Sequence, residues 1–97
     1  MARKKGSKNE QNELEVEWTA HALEDYEFWQ RENPKVAAKI DDLIEDCLSS
    51  RYSGKGKPEN LVGSLSGFMS RRINRRDRLV YCYTDDRLII VQCRYHY

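Results

Sequence analysis

Hydrophobic and polar positions follow a helical period in the first half of the chain and a strand period in the second. Residues 14–18 alternate apolar and acidic side chains, which predicts a half-buried first strand. Thr19 then suits the N-cap of a helix, and Asn33-Pro34 predicts where that helix ends. The apolar positions of this helix are Leu23, Tyr26 and Trp29.

A second helix is predicted to follow at once, with Asn33 as N-cap and Pro34 at its first position. Acidic residues occupy the side of this helix opposite its apolar stripe. Two such helices most commonly form an antiparallel pair packed on a sheet. The stripe is the most regular in the chain and consists of Val36, Ile40, Leu43, Ile44, Cys47 and Leu48.

Strand patterns fill the second half of the chain. Residues 61–65 predict a short strand and turn, and residues 68–73 predict a longer strand. Residues 78–83 and 88–95 predict a hairpin around Thr84-Asp85-Asp86. The expected fold is therefore α+β, with a two-helix hairpin packed on one face of a small, mainly antiparallel β-sheet.

The register of the hairpin decides which of its side chains meet. Arg78 shares a face with the polar row of the last strand only if the apolar residues of 79–83 face the helices. We therefore predict a three-residue loop or a β-bulge, whereas a regular ladder starting with Thr84 and Arg87 would contradict this alignment. Strict alternation gives the last strand an apolar row (Ile89, Val91, Cys93, Tyr95) and a polar row (Gln92, Arg94, His96).

The chain of 97 residues predicts one small domain over residues 14–97, preceded by a disordered basic arm at residues 1–13. A net charge of +1 hides a polarity, because residues 1–50 carry −5 and residues 51–97 carry +6. The basic half is the expected face for a polyanion, although simple solvation of two surfaces is the alternative. Without an apolar leader or a long apolar run, we expect a cytoplasmic protein that makes no membrane contact.

Three cysteines without metal-ligand spacing indicate reduced core residues, and neither a metal site nor a cofactor is expected. An acid, a base and several cations could instead converge to cleave RNA. Glu59 and His96 are the candidate proton-transfer groups, since imidazole has an ordinary pKa of about 6.5. Arg71, Arg72 and Arg78 are the candidate cations for the phosphate, and Tyr97 or Tyr95 could stack on a base. The candidate RNA-contacting residues are Lys55, Lys57, Arg71, Arg72, Arg94 and Tyr95.

Chemistry alone leaves other interpretations open. Glu59 could be an ordinary solvated loop residue, and His96 an idle terminal histidine. The arginines could pair with Asp77, Asp85 or Asp86, or with the acidic face of a partner.

Several short motifs in a fixed order narrow these alternatives. Together they resemble the YoeB/Txe toxins of the RelE/ParE superfamily of bacterial toxin–antitoxin systems, over about residues 16–97. The motifs are Gly54-Lys-Gly-Lys-Pro-Glu59, Leu65-Ser-Gly-Phe68, Ser70-Arg-Arg-Ile73, Arg78-Leu-Val-Tyr81, Thr84-Asp-Asp86 and Cys93-Arg-Tyr-His-Tyr97, preceded by Trp18, Asp25-Tyr26 and Trp29-Gln30.

The resemblance implies a RelE-like, microbial-ribonuclease-like fold and a ribosome-dependent mRNA endonuclease that cuts in the ribosomal A site, next to ribosomal RNA. It implies Glu59 as general base, His96 as general acid, Arg78 as phosphate clamp and Tyr97 as a substrate-positioning residue. It further implies a YefM-like antitoxin, a homodimer, and contact with operator DNA only through the antitoxin complex.

The sequence departs from the family pattern after the glutamate, where relatives commonly carry Pro-Leu-Lys and this chain has Asn60-Leu61-Val62. Met69 replaces an aromatic residue, and Gly63 a larger polar one. Two alternatives therefore stay open. One is a non-catalytic, ParE-like poison of DNA gyrase, and the other is a catalytically weakened module that only binds antitoxin.

Overall fold

The computed structural model describes residues 14–96, so the predicted arm at 1–13 and the side chain of Tyr97 lie outside the described residues. No helix within residues 14–96 is long and apolar enough to cross a membrane. Within residues 14–96, a 3-10 turn, Gly63–Leu65, accompanies two α-helices, α1 (Ala20–Glu32) and α2 (Pro34–Ser49). The strands are β1 (Glu15–Trp18), β2 (Glu59–Asn60), β3 (Met69–Arg72), β4 (Arg78–Tyr83) and β5 (Arg87–Gln92).

The five strands form one sheet in the order β1-β5-β4-β3-β2. Only the β1–β5 pair is parallel, and the other three pairs are antiparallel. Both helices pack on one face of this sheet, where Trp29 of α1 and Leu43 of α2 join a core with the sheet residues Tyr81 and Ile90. The predicted α+β architecture is confirmed.

The helix boundaries match the sequence prediction, but the buried side of α1 does not. The Thr19 hydroxyl accepts the Ala22 N–H at 3.1 Å and caps α1 as predicted. Leu23 is 44% exposed, so the apolar spacing of this helix does not coincide with its buried side. The buried stripe of α1 runs through Ala22, Asp25 and Trp29 instead. On α2 the predicted stripe is confirmed, with Ile40, Leu43, Ile44 and Cys47 buried and Val36 and Leu48 half-buried.

The segment after the glycine-rich loop differs from its prediction. Glu59 and Asn60 form the short strand, whereas the predicted strand at residues 61–65 is replaced by the 3-10 turn. Leu61 is buried, but Val62 is 81% exposed. Of this short apolar run only Leu61 is buried, and the run does not form the predicted strand.

The predicted β-bulge is present in the β4–β5 hairpin. The Thr84 N–H donates to the Arg87 carbonyl at 2.9 Å, so the turn has two residues and the alternative three-residue loop is absent. Pairing then shifts from Tyr81–Ile90 to Val80–Gln92, which leaves Val91 as the extra residue.

The bulge reverses the alternation of side chains near the end of β5. Leu88, Ile90 and Cys93 all face the helices and are fully buried. The predicted apolar row is therefore wrong except for Cys93, because Ile89 and Val91 are only half-buried and Tyr95 lies beyond the end of β5. Leu79 and Tyr81 do face the helices, which places Arg78 on the opposite face.

Arg71 belongs to the interior of the fold. It lies opposite Leu79 on the helix-facing side of the sheet and is fully buried. Its guanidinium binds the Asp46 carboxylate at 2.7 Å, the Tyr81 hydroxyl at 3.0 Å and the Ser50 carbonyl at 2.6 Å. The prediction that Arg71 contacts RNA is wrong, because the protein itself occupies its donors.

The glycine-rich loop wraps over this buried arginine. The Lys55 N–H, followed by the Arg71 guanidinium, holds the pKa of Asp46 below its usual range. Gly54 adopts φ of 106°, and a Cβ there would overlap the Asp46 carboxylate. The loop therefore closes around an internal ion pair that fixes the end of α2 to β3.

The adjacent residues Arg71 and Arg72 provide a matched test of this arrangement. Arg71→Ala should lower the free energy of unfolding by roughly 3–5 kcal/mol, because it leaves a cavity and unpaired buried groups. Arg72→Ala removes an exposed side chain and should change it by less than about 0.5 kcal/mol. Urea denaturation of both variants measures the difference, and equal losses would contradict a structural role specific to Arg71.

Candidate active site

One row of side chains crosses the sheet on the face opposite the helices, which we call the open face. Glu59 on β2 lies opposite Ser70 on β3, Ser70 opposite Val80 on β4, and Val80 opposite Gln92 on β5. Directly opposed residues of antiparallel strands place their side chains on the same face. The row therefore runs from the exposed carboxylate of Glu59 to the last residue of β5.

Two arginines occupy the next row of the open face. Arg72 and Arg78 are directly opposed on β3 and β4. Like charges at such positions are destabilising, so the pair favours a site for an anion over a stabilising contact. The guanidinium of Arg78 also donates to the carbonyls of Asn74 at 2.9 Å and Asp77 at 3.1 Å, which fixes its orientation. Glu59, Arg72 and Arg78 thus share one face.

Beyond β5 the chain leaves the sheet, and α1 binds its backbone. The Cys93 N–H donates to the Asp25 carboxylate at 3.0 Å, and the Trp29 indole N–H donates to the Cys93 carbonyl at 2.8 Å. Asp25 is 6% exposed and Trp29 is 9% exposed. Both polar groups of Cys93 are therefore satisfied by side chains of one buried helix face.

A second carboxylate holds the next part of the chain. The Tyr95 N–H donates to Asp77 at 2.6 Å, and the Arg78 N–H donates to the Tyr95 carbonyl at 3.1 Å. The Gln92 side chain donates to the Arg94 carbonyl at 3.0 Å. His96 follows directly and is exposed, so its backbone starts from a fixed point beside Arg78.

The remaining predicted residues differ in position. Lys55 and Lys57 are exposed in the loop that precedes Glu59. Arg94 is half-buried, and its guanidinium lies 3.5 Å from the centre of the Phe28 ring and 4.5 Å from that of Tyr95. Tyr95 is 58% exposed with a φ of 71°. The Tyr97 prediction lies outside the described residues.

Thiol and metal chemistry have little structural support. All three cysteines are free, and burial raises the pKa of Cys47 and Cys82 and raises that of Cys93 to about 12. Such thiols stay protonated and are poor nucleophiles. Within residues 14–96, no group of three or more His, Cys, Asp and Glu side chains could hold a metal ion.

Several residues that shape the site were not predicted from the sequence. Asp25 and Asp77 bind the backbone N–H groups of Cys93 and Tyr95. Arg75 and Arg76 line a cleft that is also lined by His96. One signal for Asp25 was present, because Ala22, Asp25 and Trp29 lie at helical spacing on one side of α1. Asp77 gave no such signal, since a carboxylate in a charged turn is normally exposed.

The two-helix hairpin packed on a mixed five-stranded sheet is the fold of RelE-like toxins. Residues 18–97 match the family described as "YoeB-like toxin of bacterial type II toxin-antitoxin system". This chain belongs to that family. It is a toxin of the YoeB type from a type II toxin–antitoxin system.

Similar proteins agree with this assignment. Toxin YoeB of Streptomyces coelicolor is 49% identical and that of Escherichia coli K12 is 46% identical, each over 87% of this chain and all of the relative. The YoeB/ParE toxin from Agrobacterium tumefaciens superposes with a TM-score of 0.83 at 42% identity, over 87% of this chain and all of that one. A YoeB dimer and a YoeB–YefM complex from Staphylococcus aureus give TM-scores of 0.81 and 0.80 at 39% and 40% identity, each over 87% of this chain and 98% of that one.

Removing the Asp77 carboxylate should release the end of the chain. In Asp77→Ala the Tyr95 N–H loses its acceptor, a change that typically costs about 1–3 kcal/mol for a buried group. Amide hydrogen exchange followed by NMR should show faster exchange at Tyr95. Asp77→Asn retains an acceptor oxygen and should restore most of the protection.

Asp85→Ala is the matched control, because Asp85 is an exposed carboxylate in the β4–β5 turn. It should leave exchange at Tyr95 unchanged. Wild-type exchange at Tyr95 in Asp77→Ala would contradict the role assigned to that carboxylate.

Proposed function

We propose that this toxin is a ribosome-dependent mRNA endonuclease whose reacting groups are Glu59, Arg78 and His96. One observation carries the proposal: Arg78 shares the open face with Glu59, and its backbone binds the carbonyl of the residue before His96. This arrangement supports a site in which Glu59 is the base, Arg78 the phosphate-binding cation and His96 the acid.

The reaction follows from the chemistry of these groups. The Glu59 carboxylate accepts the proton of a ribose 2′-hydroxyl, and the 2′-oxygen forms a bond to the adjacent phosphorus. The bond from phosphorus to the 5′-oxygen breaks, and protonated His96 donates a proton to that oxygen. The products are a 2′,3′-cyclic phosphate, which can open to a 3′-phosphate, and a 5′-hydroxyl. No metal ion or other cofactor enters these steps.

The arginines would stabilise negative charge on the phosphate and would not transfer protons. Negative charge builds on the phosphoryl oxygens as the 2′-oxygen attacks, and a fixed guanidinium can bind two of those oxygens at once. Arg78 suits this role because two backbone carbonyls orient it, and Arg72 lies directly opposite. Tyr97 is proposed to position the substrate, and Tyr95 to stack on a base.

The substrate is proposed to be mRNA in the ribosomal A site. The exposed Lys55 and Lys57 precede Glu59 and suit contacts with phosphates of the mRNA or of ribosomal RNA. The basic balance of residues 51–97 supports the same partner class.

Regulation is proposed to follow the Staphylococcus aureus proteins, for which both a YoeB–YefM complex and a YoeB dimer are known. A YefM-like antitoxin with an acidic segment would cover the arginines of the open face. Operator DNA would then be contacted only through the antitoxin complex.

Cleavage should depend on the two proton-transfer groups. In a translating extract, Glu59→Gln and His96→Ala should each slow mRNA cleavage by ~10²–10⁴, measured by primer extension. Glu45→Gln is the matched control on the exposed side of α2, and it should cleave as the wild type does.

Two results would overturn the nuclease assignment. One is no cleavage by the wild-type protein in an extract that is actively translating. The other is wild-type cleavage by His96→Ala. A gyrase supercoiling assay on the same preparations identifies a gyrase poison, which would trap cleaved DNA and leave mRNA intact.

Antitoxin binding should depend on the open-face arginines. Arg72→Ala should weaken binding of a YefM-like antitoxin about tenfold, equivalent to ~1.4 kcal/mol, because one cation opposite the acidic segment is lost. Calorimetric titration measures this change, and Lys39→Ala on α2 is the charge-matched control. Equal affinities for the two variants would place the antitoxin elsewhere.

A further inference from the structure

A cleft of about 760 Å³ is lined in part by His96, and of its lining residues the proposed cleavage steps use only His96. The C-terminal end of α1 forms one wall, and the turn after β3 together with the chain end forms the other. Its lining includes Phe28, Trp29, Arg75, Arg76, Arg94 and His96.

We propose that this cleft is a second RNA subsite, in which Arg75 and Arg76 bind backbone phosphates of the strand beyond the scissile bond. The proposal rests on the proposed nuclease function, because that function places RNA at His96. It adds a binding site that the acid–base pair and the open-face arginines do not require.

The charge of the cleft supports an anionic ligand. Arg75 and Arg76 are exposed, and neither forms an ion pair among the salt bridges described for residues 14–96. By contrast, Arg71 is paired with Asp46 and Arg87 with Glu17. Two adjacent cations without an acidic partner are better explained by an external anion than by stability.

Three arginines and two carboxylates line the cleft, so its formal charge is positive; the arginines are Arg75, Arg76 and Arg94, and the carboxylates are Glu32 and Asp77. Asp77 is 5% exposed, and its carboxylate already accepts the Tyr95 N–H. Glu32 is exposed on the opposite wall. The Asn74 side chain accepts the N–H groups of Arg76 and Asp77, each at 2.8 Å, so the turn that carries both arginines has a fixed backbone.

The aromatic residues favour RNA over an acidic peptide. Phe28 and Trp29 form an edge-to-face pair with ring centres 5.1 Å apart, and Arg94 stacks between Phe28 and Tyr95. Single-stranded RNA is typically bound by cations along its backbone and by flat aromatic or guanidinium groups against its bases. Since Trp29 is buried and Arg94 lies over the Phe28 ring, the flat groups of the lining that suit a base are the exposed Tyr95 ring and the Arg94 guanidinium.

The test uses RNA that cannot be cleaved. A short single-stranded RNA with a 2′-O-methyl group on every ribose has no 2′-hydroxyl to attack, so binding is measured separately from catalysis. The full-length variant R75A/R76A should bind it more weakly at low ionic strength. The slope of log K against log salt concentration is negative, and its magnitude should decrease by about 1.4, the value for two phosphate contacts to a single strand.

K35A/K39A is the matched control, because it removes two exposed cations from α2 and changes the net charge equally. It should retain the wild-type salt slope. A wild-type slope in R75A/R76A, or no RNA binding by the wild-type protein, would overturn the subsite. The subsite would also be overturned if R75A/R76A lost affinity for a YefM-like acidic peptide but bound the RNA as the wild type does.

The two proposals fail in different ways. If the wild-type protein binds this RNA through Arg75 and Arg76 but never cleaves translated mRNA, the subsite stands and the nuclease assignment is wrong. If R75A/R76A cleaves and binds as the wild type does, the nuclease assignment stands and the subsite is wrong. The same variants are compared in cleavage of ribosome-bound mRNA and in binding to ribosomes. A contact with mRNA should change the cleavage rate, whereas a contact with ribosomal RNA should change ribosome binding.

Discussion

Two buried carboxylates, Asp25 and Asp77, hold the backbone that carries His96. A chain end normally frays, because nothing offsets the entropy lost when its backbone is fixed. Here the N–H groups of Cys93 and Tyr95 each donate to a buried carboxylate, at 3.0 and 2.6 Å. Such charge-assisted hydrogen bonds are roughly twice as strong as neutral ones and satisfy the carboxylates that burial would otherwise destabilise. The same contacts stabilise the fold and place the candidate acid.

This attachment depends on the bulge at Val91. Without the extra residue, Cys93 would face away from the helices, and its backbone would not be presented to Asp25 and Trp29 in the same way. The bulge therefore serves both faces of the sheet. It returns Cys93 to the core, and it allows the following residues to reach the turn at Asp77 and the start of β4. A regular hairpin of the same length would leave the terminal histidine attached to a free end.

How far the sequence predicts this arrangement differs from residue to residue. The boundaries of both helices follow from local rules, although only Thr19 makes a side-chain cap and Asn33 does not. The need for an irregularity in the hairpin also follows, since it results from counting side chains along two strands. The burial of Arg71 and the exposure of Arg72 do not follow from local rules. Alternation places these neighbours on opposite faces, but only the packing of α2 decides which face is buried. Asp77 is similar, because its burial depends on a chain segment 18 residues away.

The positive charge of the second half of the chain has several distinct uses. Arg71 completes the interior, Arg94 stacks on two rings, and Arg87 pairs with the acidic first strand. None of these three is a simple surface charge. The cations that remain near His96 are those of the open face and of the cleft, and the nearby carboxylate of Asp77 is occupied by the Tyr95 backbone. The arginines of the open face and of the cleft outnumber the carboxylates there (Glu32, Glu59 and Asp77), so this part of the fold keeps a positive formal charge that favours an anionic ligand.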